Sequence, residues 1–178
     1  MNARRLSRLA LFIAMGAILH WVEGTLPAPI PVPGAKLGLA NLITLLAVLL
    51  WGTRDAVIVA AGRAMLGSLL GGTFGTLAFF MSFGGAISAA LVMSLASMSP
   101  MGPVGLSVIG AATHNVAQLF IFYGVTGYSG VWMYLPPLLG LAAPAGAATG
   151  AAGGYLLARI RGVAAFSDSE RKNPGSSP

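Results

Sequence analysis

The feature that most constrains the fold of this chain is a long uncharged stretch. No Asp, Glu, Lys or Arg occurs between Ala64 and Ala158. A water-soluble chain would need charges along such a stretch to cover its surface, whereas a chain surrounded by lipid does not. Charged residues make up only 8% of the whole sequence, against about 25% in an average soluble domain. We therefore expect an integral membrane protein.

Glycine, proline and polar residues divide the apolar sequence into six segments. A bilayer core about 30 Å thick needs about 20 apolar residues for each helical crossing. The predicted spans cover residues 6–23, 37–51, 56–70, 76–96, 104–125 and 132–158. The predicted fold class is an all-α integral membrane protein with six transmembrane helices in one bundle, formed by residues 1–161. Residues 162–178, rich in Ser, Pro and charge, are expected to form a disordered tail.

The basic residues predict the orientation of the bundle, because short loops rich in Lys and Arg favour the cytoplasmic side. With both termini cytoplasmic, the residues on the inner side are Arg4, Arg5, Arg8, Arg54, Arg159, Arg161, Arg171 and Lys172. Lys36 is then external, and Arg63 lies within a span. We interpret the net charge of +6 as this topology signal, with no nucleic-acid partner, because the charges gather at the chain ends and in one turn. The expected location is the cell membrane, with multiple crossings and lipid contact.

The first segment follows three arginines, as the apolar part of a secretory signal peptide also would. We interpret it as a membrane helix, because no small-x-small cleavage site follows promptly and its removal would leave an odd number of spans. Ala10 and Ala14 lie four residues apart in it, a spacing that marks close helix approach. Such rows usually pack within one molecule. This pair lies at the cytoplasmic end of a terminal helix, so docking of a second membrane protein is the alternative.

Polar side chains inside the apolar segments are the candidate site residues. A charge at mid-bilayer costs at least about 2.5 kcal/mol, so it requires a partner or a function. From the helical rise, Arg63 lies about 12 Å and His114 about 15 Å along their helices. Gln118 shares a face with His114, and Asn115 lies beside them. The candidates nearer the outer side are His20, Glu23, Lys36 and Asn41.

We expect these eight residues to face one cavity that is open to the outside. The alternative for each residue is a purely structural role. In that role it holds backbone carbonyl groups, forms a hydrogen bond between helices or belongs to an ion pair at the membrane interface. Two cations, Lys36 and Arg63, against one carboxylate, Glu23, favour an anionic ligand group such as a carboxylate or phosphate. A transition-metal site formed by His20, Glu23 and His114 is a lower-ranked alternative, because the two cations would repel a metal ion.

The segment before the second span has a proline at every second position from Pro27 to Pro33. Such a run cannot donate backbone hydrogen bonds at its prolines and holds an extended, stiff shape. It is either a lid over the cavity or a stiff connector between two helices, and the sequence supports both interpretations equally.

Sequence motifs of several enzyme classes are absent. Neither lysine follows a phosphate-binding loop, and there is no serine elbow or HExxH helix. The two aspartates, Asp55 and Asp168, are far apart in the sequence, whereas diphosphate chemistry with magnesium normally uses clustered carboxylates. The chain has no cysteine, which excludes disulfides and thiolate sites. We expect a protein that is not itself an enzyme and that holds no cofactor or metal.

Three stretches resemble a family of small membrane proteins. They are Pro33–Asn41 (PGAKLGLAN), Arg63 with Leu66–Ser68, and His114–Gln118 (HNVAQ). The family is the Gx transporters, often labelled heptaprenyl diphosphate synthase component I, which looks like a branch of the substrate-binding S components of energy-coupling-factor transporters. The resemblance covers about residues 9–158.

The resemblance implies an S component that captures a vitamin-like or precursor molecule from outside. Such subunits pair with a transmembrane coupling subunit and ATPase subunits, and Ala10 and Ala14 match the alanine row through which relatives contact the coupling subunit. The sixth segment, mostly Gly, Ala and Leu, departs from relatives that bind ligand there. We therefore expect a substrate-binding transport subunit for a small anionic molecule. The alternatives are an accessory subunit of prenyl diphosphate or quinone synthesis, a transition-metal uptake component and a structural scaffold.

Overall fold

The computed structural model describes residues 2–26 and 38–172, with side chains up to residue 163. The described architecture is entirely helical. In these ranges there are six α-helices, one 3-10 helix and no strand. The α-helices are α1 (Ala3–Thr25), α2 (Leu39–Trp51), α3 (Thr53–Leu70), α4 (Leu77–Ala96), α5 (Pro103–Thr126) and α6 (Leu135–Lys172). The 3-10 helix Ser129–Tyr134 precedes α6.

In the described part of the chain, four segments are long and apolar enough to cross a membrane. They are Ala3–Thr25, Leu77–Ala96, Pro103–Thr126 and Ser129–Val163. The helix α2 is apolar but has only 13 residues, and α3 carries Arg54, Asp55 and Arg63. The chain is therefore an all-helical, membrane-associated protein. That the chain crosses the membrane six times, with both termini in the cytoplasm, stays a prediction.

The helix α6 differs most from its predicted boundaries. We expected the last span to end near Ala158 and the residues from 162 onward to be disordered, but α6 continues to Lys172. After Gly162 the sequence contains no further glycine or proline before Pro174. The intervening Ala, Glu, Arg and Lys residues favour helix. A polar composition was therefore not sufficient to end the helix near Ala158.

The short helix α2 is the centre of the bundle. It packs against α1, α3, α4, α5 and α6, and eight of its 13 residues are buried. The most extensive interfaces among the other helices join α1 to α3, α4 to α5 and α5 to α6. Across the described ranges α1 and α6 are not packed closely on each other, whereas α2 packs against both. Polar groups on α2 consequently lie in the protein interior.

Small residues allow the helices to approach closely. Four alanines without exposed surface form the contact between α3 and α4: Ala60, Ala64, Ala86 and Ala90. On α6, a Cβ added at Gly150 would lie 2.6 Å from the Cα of Val104 on α5, so a larger residue cannot fit. These rows are intramolecular contacts. Ala10 and Ala14, by contrast, are both exposed on α1.

A charged cluster joins the N-terminal ends of α1 and α3. Arg5 donates hydrogen bonds to Asp55 from Nε at 3.1 Å and from Nη2 at 2.5 Å, and Arg8 lies 3.4 Å from the same carboxylate. The guanidinium of Arg8 also lies over the ring of Trp51, 4.9 Å from its centroid. The hydrogen bonds from Arg5 hold the pKa of Asp55 below its ordinary value, and the positive charges of Arg5, Arg8 and Arg54 act in the same direction.

Candidate ligand-binding site

A cavity of about 40 Å³ lies among α1, α2, α3, α5 and α6. Six of the eight residues predicted from the sequence line it: His20, Glu23, Asn41, Arg63, His114 and Asn115. Glycines, alanines and Thr149 form the rest of the described lining. One water needs about 10–15 Å³ by the same measure. The cavity in this structure therefore has room for a few water molecules.

Arg63 is the cation of the cavity and is only 2% exposed. Its Nε atom donates a hydrogen bond to Thr44 Oγ1 at 2.9 Å, whereas its Nη2 atom is buried without a hydrogen-bond partner. A buried donor without an acceptor is costly, and more so when it is charged. This nitrogen is therefore the strongest candidate for contact with an anionic group.

Asn41 lies in the first turn of α2 and is 6% exposed. Neither its Oδ1 atom nor its Nδ2 atom has a hydrogen-bond partner. Gly110 on α5 lies close to this side chain, since a Cβ added there would be 3.1 Å from Nδ2. Buried side-chain polar atoms are normally hydrogen-bonded, so a carboxamide with both atoms unpaired calls for an explanation.

Glu23 connects the end of α1 to the start of α2. Its Oε1 atom accepts hydrogen bonds from the backbone N–H groups of Gly38 and Leu39, the second at 3.3 Å. The first N–H groups of a helix have no partner within the helix, and a carboxylate is favourable there. Gly38 itself has a positive φ of 79°, which glycine adopts without strain. Glu23 therefore caps α2 from the cavity wall.

The helix α5 contributes His114 and Asn115 to the lining. The Nδ2 atom of Asn115 donates to the carbonyl oxygen of Leu138 on α6 at 3.0 Å. Gln118 Nε2 donates to Asn115 Oδ1 at 3.5 Å. Gln118 is buried behind Asn115 and does not belong to the described lining. Gln118 thus contacts a residue of the wall without being among the described lining residues, and its role in ligand binding stays a prediction.

The residues that make room for the polar side chains were not predicted from the sequence. Three glycines on neighbouring helices each make room for one of them: Gly16 for Arg63, Gly67 for His20 and Gly85 for His114. A Cβ at any of the three would lie within 3.0 Å of the side chain concerned. Thr44, the acceptor for Arg63, was also missed. Its spacing of three residues from Asn41 on one helix could have indicated a shared face.

Two predictions fall outside the described residues, namely Lys36 and the proline run from Pro27 to Pro33. A third prediction concerns the alternative transition-metal site. Within residues 2–26 and 38–163, no group of three His, Asp or Glu side chains could hold a metal ion. The alternative site formed by His20, Glu23 and His114 is therefore not supported.

The fold and the cavity define a class, a helical membrane-associated protein with an internal polar cavity. A family model described as heptaprenyl diphosphate synthase component I matches residues 12–156, and the chain belongs to this family. The match includes every described cavity residue from His20 to Thr149, and it confirms the family label that the sequence motifs indicated. Neither the curated proteins nor the solved structures contain a match to the chain.

Proposed function

We propose that this protein is the membrane-embedded substrate-binding subunit of an energy-coupling-factor-type transporter and takes up a small anionic organic molecule, such as a vitamin or precursor. The observation that carries the proposal is the buried guanidinium of Arg63, which lines the cavity with one nitrogen unpaired. A buried charge with an unpaired donor is unfavourable. A carboxylate or phosphate on the ligand would compensate it.

Glu23 does not serve as that counter-charge by direct contact. Its Oε1 atom accepts from the backbone at the start of α2, and no ion pair joins it to Arg63 among the described residues. The cavity thus has one capped carboxylate and one guanidinium with donor capacity left. Asn115 adds a neutral polar group to the same wall. Such a wall favours an anion over a cation.

Uptake requires the cavity to widen. Binding sites for small organic molecules usually measure about 300–1,000 Å³, whereas this cavity measures about 40 Å³. The described parts of α1 and α6 both line the cavity and are not packed closely on each other, so a movement of these two helices apart is the simplest route. A ligand that enters there would reach both Arg63 and Asn41.

The energy for transport would come from other chains. The sequence has no phosphate-binding loop, so ATP hydrolysis falls to separate ATPase subunits. Ala10 and Ala14 lie on the exposed side of α1, beside exposed Leu11 and Met15. Small residues at this spacing permit close approach of a second helix. We assign this face to a transmembrane coupling subunit.

Mass spectrometry of small molecules that co-purify with the full chain tests ligand capture. We expect an anionic compound with the wild-type protein and its loss in Arg63→Met, while the exposed control Arg161→Met retains it. Reconstitution in liposomes then tests the subunit assignment. Uptake should require a coupling subunit and ATPases, and uptake by the chain alone would contradict the proposal.

The family description favours a second function, an accessory membrane component of prenyl diphosphate synthesis. In that case Arg63 would bind the diphosphate and the apolar bundle would hold the prenyl chain. The described carboxylates do not support metal-dependent catalysis, because Glu23 lies near the end of α1 whereas Asp55 lies at the start of α3. Turnover of prenyl diphosphates with magnesium by the purified protein would favour this second function.

A further inference from the structure

We infer that the ligand carries, next to its anionic group, an amide-like edge with a hydrogen-bond donor beside an acceptor, and that Asn41 binds this edge. The inference rests on the proposed function, because it adds a second recognition element to the same cavity. It narrows the ligand from any small anion to a lactam, pyrimidine-like or carboxamide acid.

The first observation is the state of the Asn41 side chain. It lines the cavity, is 6% exposed, and has neither Oδ1 nor Nδ2 paired. A carboxamide offers an acceptor and two donors side by side. A partner that pairs with both sides at once must present a donor beside an acceptor, as the edge of adenine does to asparagine in protein–DNA complexes. A simple carboxylate, which only accepts, cannot do so.

The second observation is that the neighbouring polar groups already have partners. Glu23 accepts from the start of α2, and Asn115 bonds to the Leu138 carbonyl and to Gln118. The backbone N–H of Asn41 donates to the Gly38 carbonyl at 2.9 Å. Among the described lining residues, the unpaired buried side-chain atoms are therefore those of Asn41 and the Nη2 atom of Arg63.

The third observation is that these two groups line the same small cavity and are linked through Thr44. Asn41 and Thr44 are three residues apart on α2, which places their Cβ atoms about 5–6 Å apart on one face. Thr44 in turn accepts the hydrogen bond from Arg63 Nε at 2.9 Å. The anionic group and the amide-like edge must therefore fit on one compact framework, about the size of a single substituted ring.

The Asn41→Leu variant distinguishes a role of this side chain in ligand binding from a role in folding stability. The side chain makes no hydrogen bond in this structure, and replacement of an unpaired buried polar group by an apolar one of similar shape is neutral or stabilising. We expect this variant to unfold at the same or a higher temperature than the wild type without ligand. Asn41→Asp is the second variant, since it keeps the shape but removes the donor.

The test measures binding of three ring compounds to the full chain in detergent, from the dependence of its unfolding temperature on ligand concentration. Orotate carries both a carboxylate and an amide-like edge, benzoate carries only the carboxylate, and uracil carries only the edge. We expect orotate to bind wild type at least about tenfold more tightly than benzoate, as two additional hydrogen bonds imply. Asn41→Leu should remove this advantage, and the exposed control Asn2→Leu should retain it.

The relative affinities of the three compounds distinguish failure of this inference from failure of the proposed function. Equal binding of orotate and benzoate, or an orotate advantage that persists in Asn41→Leu, would overturn the inference and leave anion binding intact. Equal binding of orotate and uracil would overturn the proposed anionic ligand while supporting the role of Asn41. The absence of binding by all three compounds at millimolar concentration would count against both.

Discussion

Arg63 on α3 and Thr44 on α2 are joined in the bundle interior by a hydrogen bond of 2.9 Å from Nε to Oγ1. The two residues are 2% and 0% exposed. Because α2 packs against all the other α-helices, this bond attaches the cavity's guanidinium to the most constrained element of the fold. The position of the charge is therefore set by the core and does not depend on an exposed loop.

Thr44→Val tests this bond. The substitution removes the acceptor, so Nε as well as Nη2 of Arg63 would be buried without a partner. We expect a loss of about 1–3 kcal/mol in the free energy of unfolding, measured by tryptophan fluorescence of the full chain in detergent. Thr53→Val, at an exposed position at the start of α3, is the control and should change stability little. Equal stability of the two variants would show that the bond contributes nothing.

Gly16→Ala tests the seat of Arg63. The added Cβ would lie 2.9 Å from both Cβ and Cδ of Arg63, so the arginine or α1 must shift. We expect destabilisation by about 1–3 kcal/mol, the usual range for overpacking. Gly24→Ala on the same helix meets nothing within 4 Å and should be neutral or slightly stabilising, because alanine favours helix. Thermal unfolding of both variants gives the comparison, and equal changes would contradict the assigned role of Gly16.

Glu23→Ala tests the cap on α2. Loss of the carboxylate leaves the N–H groups of Gly38 and Leu39 without their acceptor. We expect a loss of about 0.5–2 kcal/mol, as for other helix N-terminal caps. Glu23→Gln keeps an acceptor oxygen and should lose less stability. Hydrogen exchange at the first turn of α2 should rise in Glu23→Ala, and unchanged exchange would argue against the cap.

Asp55→Asn tests the charged cluster that joins α1 to α3. Because the hydrogen bonds from Arg5 lower the pKa of Asp55 in the folded state, its ionised form stabilises the fold at neutral pH. That contribution is present above the unfolded-state pKa of about 3.9 and is lost as pH falls through the lower folded-state value. We therefore expect Asp55→Asn to unfold at a lower temperature than wild type at pH 7. The difference should shrink below about pH 4, and a constant difference would contradict the ion-pair origin.

The sequence predicted the helical class and most helix positions because lipid solvation demands long apolar segments that glycine and proline interrupt. The observed α2 to α5 begin and end within three residues of the predicted bounds. It also predicted several of the buried polar residues, since a charge such as Arg63 in an apolar segment is costly wherever it points, but it did not predict Thr44. It did not predict the length of α6, because polar residues past Ala158 are compatible with both a helix and a disordered tail.

By itself, then, the amino-acid sequence determined which elements form and which side chains must be accommodated inside them. The tertiary structure decided which of those side chains meet. His20, Asn41, Arg63 and His114 line one cavity, while Gln118 lies behind Asn115. The physical reason is that convergence depends on how the helices are rotated against the central α2, and glycines such as Gly16 and Gly85 set those contacts. The spacing of residues along one helix carries no information about how a neighbouring helix is rotated about its own axis.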